Sequence, residues 1–197
     1  MRTPAVVVRV IAEPSLDAVS GFQWYCCSMA FDQTFPPALT ALHKLDFDYN
    51  KGIDFEPYDQ FFPADENAEW FQAWTGNPDV NGAEYRIFGQ DGTGGYAAFW
   101  IARDGASILD QPVVFFGSEG KVGVVAADFA DYLWLLAGGI GPLEAVEYGS
   151  AEGNPNAAFT KFANEHGADA KKSAAEVLAR AASEFPDFAQ EIDSLCR

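Results

Sequence analysis

The glycine-rich segment FGQDGTGGYAAFW, residues 88–100, is the first place to look for chemistry, since glycine loops can cradle phosphate groups. Its four glycines do not have the G-x-G-x-x-G spacing, and no Lys-Ser or Lys-Thr pair follows them. A phosphate loop leads into the N-terminus of a helix, whereas YAAFWI is typical of a strand. We therefore predict no cofactor site here. Instead we expect a structural hairpin turn, with room for a bulge, formed by Gly89, Gly92, Gly94 and Gly95.

Acidic residues after the first predicted helix partly match a calcium-binding loop. Asp46, Asp48 and Asn50 stand at the first three ligand positions of such a loop. The loop glycine comes one position late, at Gly52, and Pro57 stands where the bidentate glutamate belongs. An acidic loop rich in aromatic residues accounts for the same positions, so we predict no metal site.

The sequence assigns no catalytic residue and predicts that the protein is not an enzyme. Neither His43 nor His166 has a serine or cysteine motif beside it, so a nucleophile–base pair has no support. The 29 acidic residues always offer a pair of carboxylates for acid–base chemistry, but nothing selects one pair. Cys26, Cys27 and Cys196 have neither disulfide nor zinc spacing, and we expect free, buried thiols.

Aromatic and acidic residues are interleaved between Asp46 and Trp74, and this segment is the strongest candidate for binding. Residues 51–100 contain nine acidic and two basic residues. Aromatic anchors surrounded by charge are typical of the energetic centre of a protein-binding surface. The alternative is that the aromatic residues belong to the core and the acidic residues to a solvated loop. On the first interpretation, the partner-binding residues are Asp54, Glu56, Tyr58, Asp59, Asp65, Glu66, Trp70 and Trp74.

The net charge of −17, from 29 acidic and 12 basic residues, limits the classes of partner. Nucleic acids and anionic membranes are bound by clustered lysine and arginine, so we predict neither as a partner. The same charge favours a basic protein partner such as a basic toxin domain; the alternative is acidity that only keeps the protein soluble. The segment MRTPAVVVRVIAEP is typical of a strand rather than a signal peptide, and no run suits a membrane helix, which predicts a cytoplasmic protein.

The hydrophobic periodicity predicts an α+β fold built on an antiparallel sheet. Strands joined by short turns without helical crossovers must form an antiparallel meander. Prolines and acidic residues begin the predicted helices, and glycines end several of them. The predicted strands are residues 5–11, 21–29, 84–89, 96–102, 112–117 and 122–126, with helices over 35–45, 63–76, 128–139, 154–167, 174–181 and 186–195.

The composition changes near residue 150, where an apolar, strand-rich sequence gives way to a more helical one. We predict an α+β domain over residues 1–150 and a helical C-terminal extension over residues 151–197 that packs on it. The helix of residues 128–139 is apolar on nearly every side, so we expect it to be buried against the sheet.

Two segments of the predicted meander, YRIFGQDGTGGYAAFWI and QPVVFFGSEGKVGVVAADFADYLWLLA, resemble the SUKH superfamily of Smi/Knr-like proteins. That family typically shows a strand ending in a glycine turn, an aromatic strand, a PV strand, and a helix with an acidic or serine cap before phenylalanine. FPPALTAL, residues 35–42, is similar to the family's Leu-Pro helix start, with Phe35 in place of leucine. The family's Asn-Gly pair is missing from its expected place, and YNKG at residues 49–52 is the nearest candidate. The resemblance covers residues 35–140, and its features are Phe88–Gly89, Asp91–Gly95, Tyr96–Ile101, Pro112–Val113, Gly117–Gly120 and Asp128–Leu136.

The resemblance implies a protein-interaction fold without catalytic residues. In bacteria such proteins serve as immunity proteins that bind and neutralise toxins, and in fungi they take part in cell-wall regulation. We therefore expect an immunity protein of a toxin system that acts by stoichiometric protein–protein interaction. A regulatory scaffold with several partners is one alternative. The other is a small-ligand-binding protein or an enzyme that uses the open face of the sheet or the turn at residues 92–95.

Overall fold

In the part of the chain that the structure describes, five antiparallel strands, hydrogen-bonded in chain order, form one sheet. The computed structural model describes residues 33–47, 53–149, 153–167 and 171–197. The strand order confirms the α+β class and the antiparallel meander that the sequence predicts. The strands are β1 (Glu56–Pro57), β2 (Tyr85–Gln90), β3 (Tyr96–Trp100), β4 (Val113–Phe116) and β5 (Val122–Ala126).

The sequence predicts a turn-rich loop where strand β1 lies, and this prediction is wrong for Glu56 and Pro57. Strand β1 pairs Glu56 with Gln90 and Pro57 with Gly89. Two residues are too few to show the alternation by which strands are recognised in a sequence. A proline cannot donate to a strand ladder, so Pro57 suits only an edge strand, and β1 lies at the edge of the sheet.

Seven α-helices occur in the part of the chain that the structure describes. The sequence predicts six of them. The seventh, α4, has six residues and begins with Pro142, where the fixed φ of proline favours a first turn. Two further predicted strands, residues 5–11 and 21–29, lie outside the described residues. The helices are α1 (Pro37–Leu42), α2 (Ala64–Thr75), α3 (Phe129–Ala137), α4 (Pro142–Glu147), α5 (Ala157–His166), α6 (Ala174–Glu184) and α7 (Phe188–Leu195), with a 3-10 helix at Ile108–Asp110.

Each face of the sheet packs on its own hydrophobic core. Side chains alternate between the two faces of a strand, so Phe115 joins the first core and its neighbour Phe116 the second. The first core includes residues of α1, α3, α5 and α6, and the second includes residues of α2 and α7. Burial on both faces explains why the β4 sequence VVFF is apolar without interruption.

Helix α3 is buried in the first core, as its apolar sequence predicts. Its N-terminus is capped by Asp128, whose carboxylate accepts a hydrogen bond from the backbone N–H of Asp131 at 2.8 Å. All of its side chains except Ala130 are buried. The helix is covered on several sides because β5, α5 and α6 all pack against it.

The C-terminal helices contribute to both cores. Phe159 of α5 and Val177 of α6 are buried in the first core, and Phe188 and Ile192 of α7 in the second. All the residues that the structure describes lie in one compact unit. The division into a domain and an extension at residue 150 stays a prediction.

The expectation of buried thiols is wrong for Cys196. Cys196 follows the last residue of α7, beyond the buried face of that helix, and it is a free, exposed cysteine. Partial desolvation and the nearby Asp193 raise the pKa of its thiol above the ordinary value. The thiol is therefore mainly protonated at neutral pH and a weak nucleophile. Cys26 and Cys27 lie outside the described residues.

Candidate functional site

The glycine-rich segment forms the turn between β2 and β3. The Asp91 carboxylate accepts hydrogen bonds from the backbone N–H groups of Thr93 at 2.6 Å and Gly95 at 3.0 Å. Gly94 has a φ of 92°, which disfavours any residue with a side chain. The side chain of Asp91 therefore stabilises the turn, and the turn leads into a strand. Gly92, Gly94 and Gly95 lie in the turn, as the sequence predicts.

Gly89 lies in strand β2, as the predicted strand of residues 84–89 has it, so its assignment to the hairpin turn is wrong. Gly89 pairs with Ala97, directly after an irregularity in the ladder that begins at Ile87. A Cβ atom at this position would overlap the ring of Phe55. The glycine is thus explained by the close approach of an aromatic ring to the strand.

The structure brings the three predicted aromatic residues, Tyr58, Trp70 and Trp74, into one continuous row with Phe62 and Tyr96. The ring centroids of Tyr58 and Phe62 are 6.1 Å apart, those of Phe62 and Tyr96 5.6 Å, those of Tyr96 and Trp70 4.9 Å, and those of Trp70 and Trp74 6.3 Å. All five side chains are half-buried, with part of each packed on the second core. We call these five residues the aromatic ribbon.

Hydrogen bonds and packing hold the ribbon in place. The Tyr58 hydroxyl donates to Gln90 Oε1 at 2.8 Å, and Gln90 Nε2 donates to Glu56 Oε2 at 2.8 Å. At the other end, Trp74 Nε1 donates to the carbonyl oxygen of Gly117 at 3.1 Å. Burial, followed by the neighbouring Tyr96 and Glu56, raises the pKa of Tyr58 to about 12, so its phenol stays neutral at physiological pH.

The predicted acidic residues divide into two groups. Asp54 is half-buried, and its carboxylate accepts the backbone N–H of Gly92 at 3.0 Å, so it helps to hold the turn. Four others are exposed, and none of them forms an ion pair with a described residue. These four are Glu56, Asp59, Asp65 and Glu66.

Residues 53–100, which carry all the ribbon side chains, contribute little positive charge. Between residues 53 and 100 the chain has nine acidic residues and one basic residue, Arg86. Arg86 is buried, and its guanidinium donates to the carbonyl oxygens of Ala83 and Tyr85 at 2.8 and 3.2 Å. The exposed charge that this part of the chain contributes is therefore almost entirely negative.

A groove opens at the Tyr58 end of the ribbon. It has a volume of about 610 Å³ and is open to solvent. Aromatic rings, two prolines and two carboxylates form its walls. The lining residues are Pro57, Tyr58, Asp59, Gln60, Phe61, Phe62, Pro63 and Glu66.

Sequence reasoning missed Tyr96 as a member of the ribbon, while Phe62 lies inside the predicted aromatic segment but is not among the selected binding residues. Tyr96 lies in β3, more than twenty residues after the acidic aromatic segment, and only the sheet brings it between Phe62 and Trp70. The alternation of β3 is the signal that could have found it, because Tyr96 faces the same side as Ala98, a residue of the second core.

The two histidines lie in different surroundings. His43 Nδ1 donates to the carbonyl oxygen of Tyr58 at 2.6 Å, and burial lowers the pKa of His43 to about 4. His166 lies at the end of α5 with its ring 4.2 Å from that of Phe162. Neither contact supplies a nucleophile for the histidine to activate.

The described ranges contain neither a cluster of metal ligands nor a membrane-spanning helix. Those residues include no group of three or more metal-ligating side chains placed to hold an ion. Asp48 and Asn50, the second and third positions of the calcium pattern, lie outside them. Within the same ranges, none of the helices has the length and apolar character needed to span a bilayer.

Comparison with known proteins finds no protein-family model, no curated protein and no solved structure that matches this chain. The resemblance of residues 35–140 to the SUKH superfamily accordingly remains a hypothesis.

Proposed function

We propose that this protein acts by stoichiometric binding of another protein through the aromatic ribbon, as an immunity protein that neutralises a basic toxin. One observation carries the proposal: five half-exposed aromatic side chains form a continuous row, accompanied by exposed carboxylates that have no ion-pair partner among the residues that the structure describes.

Rigid aromatic side chains are effective anchors for a partner. Their rings are already fixed by the second core and by the hydrogen bonds of Tyr58 and Trp74, so binding costs little side-chain entropy. Partial exposure leaves apolar area that a partner can cover. These features favour the binding interpretation over a purely structural role for the ribbon.

The charge favours a basic partner. A toxin that attacks nucleic acids needs a positive surface to meet phosphate groups, and a negative inhibitor face is complementary to it. The net charge of −17 extends that attraction beyond the contact surface. The resemblance to the SUKH superfamily supports the immunity role, since that family binds proteins and has no catalytic residues to carry over.

The test is affinity capture from the source cells with matched charge variants as bait. The ribbon triple variant carries D59N, D65N and E66Q. The control triple carries three neutralising substitutions at exposed acidic residues elsewhere: D104N, D110N and E165Q. Both variants change the net charge by the same amount, so only the position of the charge differs.

We expect one basic partner in equimolar amount with the wild type and the control triple, reduced at least tenfold with the ribbon triple. Several partners that depend on the ribbon would favour the regulatory scaffold instead. Capture that is equal for the two triples would contradict the proposed face.

A further inference from the structure

We propose that the groove at the Tyr58 end of the ribbon binds an arginine side chain of the partner, with the guanidinium on an aromatic wall and its N–H groups directed at Asp59 and Glu66. This inference rests on the proposed function, because it names the chemistry by which the face would hold a basic protein.

The walls of the groove suit a flat cation. The rings of Tyr58 and Phe62 are close to parallel, with an interplanar angle of 17°, and Pro57 and Pro63 add apolar surface. The face of an aromatic ring carries negative potential, so a cation within about 6 Å of the ring centroid is attracted to it.

Two carboxylates in the groove lining are available to pair with a cationic ligand. Asp59 and Glu66 are exposed, and neither forms an ion pair with a residue that the structure describes. The groove lining contains no lysine or arginine. Binding a cation here would therefore displace no ion pair between described residues.

A hydrogen bond fixes the Tyr58 ring, on which the guanidinium would stack. Its hydroxyl donates to Gln90 Oε1 at 2.8 Å, which fixes the ring before any ligand arrives. A wall that is already in place loses little entropy on binding.

Arginine suits these walls better than lysine. A guanidinium is planar, stacks on aromatic rings, is weakly hydrated, and offers five N–H donors in a fork that fits carboxylates. An ammonium is a strongly hydrated point charge and would have to lose more water to enter. The open groove of about 610 Å³ has room for the long side chain that carries the guanidinium.

A peptide titration tests the inference without a known partner. The probe is acetyl-Gly-Arg-Gly-amide, added to the isotope-labelled protein and followed by the NMR shifts of the backbone amides. The comparison peptides carry lysine, which keeps the charge, or citrulline, which keeps the shape without the charge. We expect saturable shifts centred on residues 57–66, at least threefold weaker binding of the lysine peptide, and at least tenfold weaker binding of the citrulline peptide. Equal binding of the arginine and lysine peptides, or shifts centred elsewhere, would overturn the inference.

A charge-matched pair of variants locates the site. We expect the double variant D59N/E66Q to bind the arginine peptide at least fivefold more weakly than the wild type. The affinity of the control D104N/E165Q should stay within twofold of the wild type. Equal weakening by both doubles would overturn the inference, since the peptide would then respond only to net charge. The amide spectrum of each variant verifies that it is folded.

The inference and the proposed function can fail separately. If capture of a protein partner depends on the ribbon while the peptide shows no preference for the groove, the arginine site is wrong and the binding face stands. If the peptide binds as expected while capture does not depend on the ribbon, the arginine site stands and the proposed function is wrong.

Discussion

At the scale of single residues, the surroundings of His43 make protonation of its ring unfavourable in the folded protein. Its ring lies among those of Phe35, Phe55 and Phe88, with centroid distances of 5.6, 6.4 and 5.9 Å. Nδ1 donates to the carbonyl oxygen of Tyr58, while Nε2 is buried and has no hydrogen-bond partner among the described residues. A proton added to Nε2 would place an uncompensated charge among aromatic rings, so the folded protein keeps this histidine neutral.

We predict that His43 makes stability fall as the pH drops from about 6.5 to about 4. Burial lowers the pKa of His43 from 6.5 to about 4, so over this window the unfolded chain binds the proton and the folded protein does not. The resulting loss in free energy of unfolding is on the order of 3 kcal/mol. Urea unfolding at several pH values measures it. H43Q should flatten the slope in this window, while H166Q, at the exposed second histidine, should keep the wild-type slope.

We predict that G89A destabilises the fold by about 1–3 kcal/mol through overpacking against Phe55. The physical reason is the close approach of the Phe55 ring to the β2 backbone at this position. Urea unfolding at neutral pH measures the change. An unchanged midpoint would mean that the ring moves aside without cost. A pattern of glycines cannot reveal this contact, because Phe55 and Gly89 meet only through the pairing of β1 with β2.

At the scale of elements, a group of charges joins α3 to α6. Asp131 is only 1% exposed, and its carboxylate pairs with Lys172 and with Arg180, the latter at 2.7 Å. Arg180 also pairs with Asp128, the N-cap of α3, at 2.7 Å. The buried carboxylate of Asp131 in α3 is thus neutralised by Lys172, which lies just before α6, and by Arg180 of α6.

We predict that D131A lowers the free energy of unfolding by about 2 kcal/mol. Removing one partner of a buried ion pair is costly, but Lys172 and Arg180 remain 29% and 40% exposed, so water can solvate them in the variant. The control is E165Q, which removes the exposed pair between Lys161 and Glu165 at 3.9 Å and should change stability by less than about 0.5 kcal/mol. Equal effects of the two variants would show that the Asp131 pairs contribute no more than a surface pair.

Elements with local signals could be predicted from the sequence, and those set by long-range contacts could not. The strands β2–β5 have apolar runs between turns, and α3 has a capping aspartate. β1 has two residues and exists only because β2 pairs with it. The candidate site divides in the same way: Tyr58, Trp70 and Trp74 stood out by residue type and neighbours, while Tyr96 reaches the ribbon through the sheet.

At the scale of the whole molecule, the proposed function gives the negative charge and the ribbon different ranges of action. The net charge of −17 would attract a basic partner over a Debye length, about 8 Å at physiological salt. The aromatic ribbon would act only on contact, where apolar area is covered. Charge should therefore determine mainly how fast a complex forms, and the ribbon how long it lasts.

We predict that the rate of association with the captured partner falls about tenfold between 50 and 500 mM NaCl, while the dissociation rate changes little. The ribbon triple variant should associate more slowly and depend less on salt than the control triple. Surface plasmon resonance or stopped-flow fluorescence measures both rates. An association rate that does not change with salt would contradict a role for the acidic face in steering.

The most direct test of the account is hydrogen–deuterium exchange of the protein alone and in the complex captured from the source cells. We expect slower exchange in the complex over residues 56–62, along α2 and at the start of β3, which together carry the aromatic ribbon and its groove. Protection confined to α5 and α6, with no change along the ribbon, would contradict it.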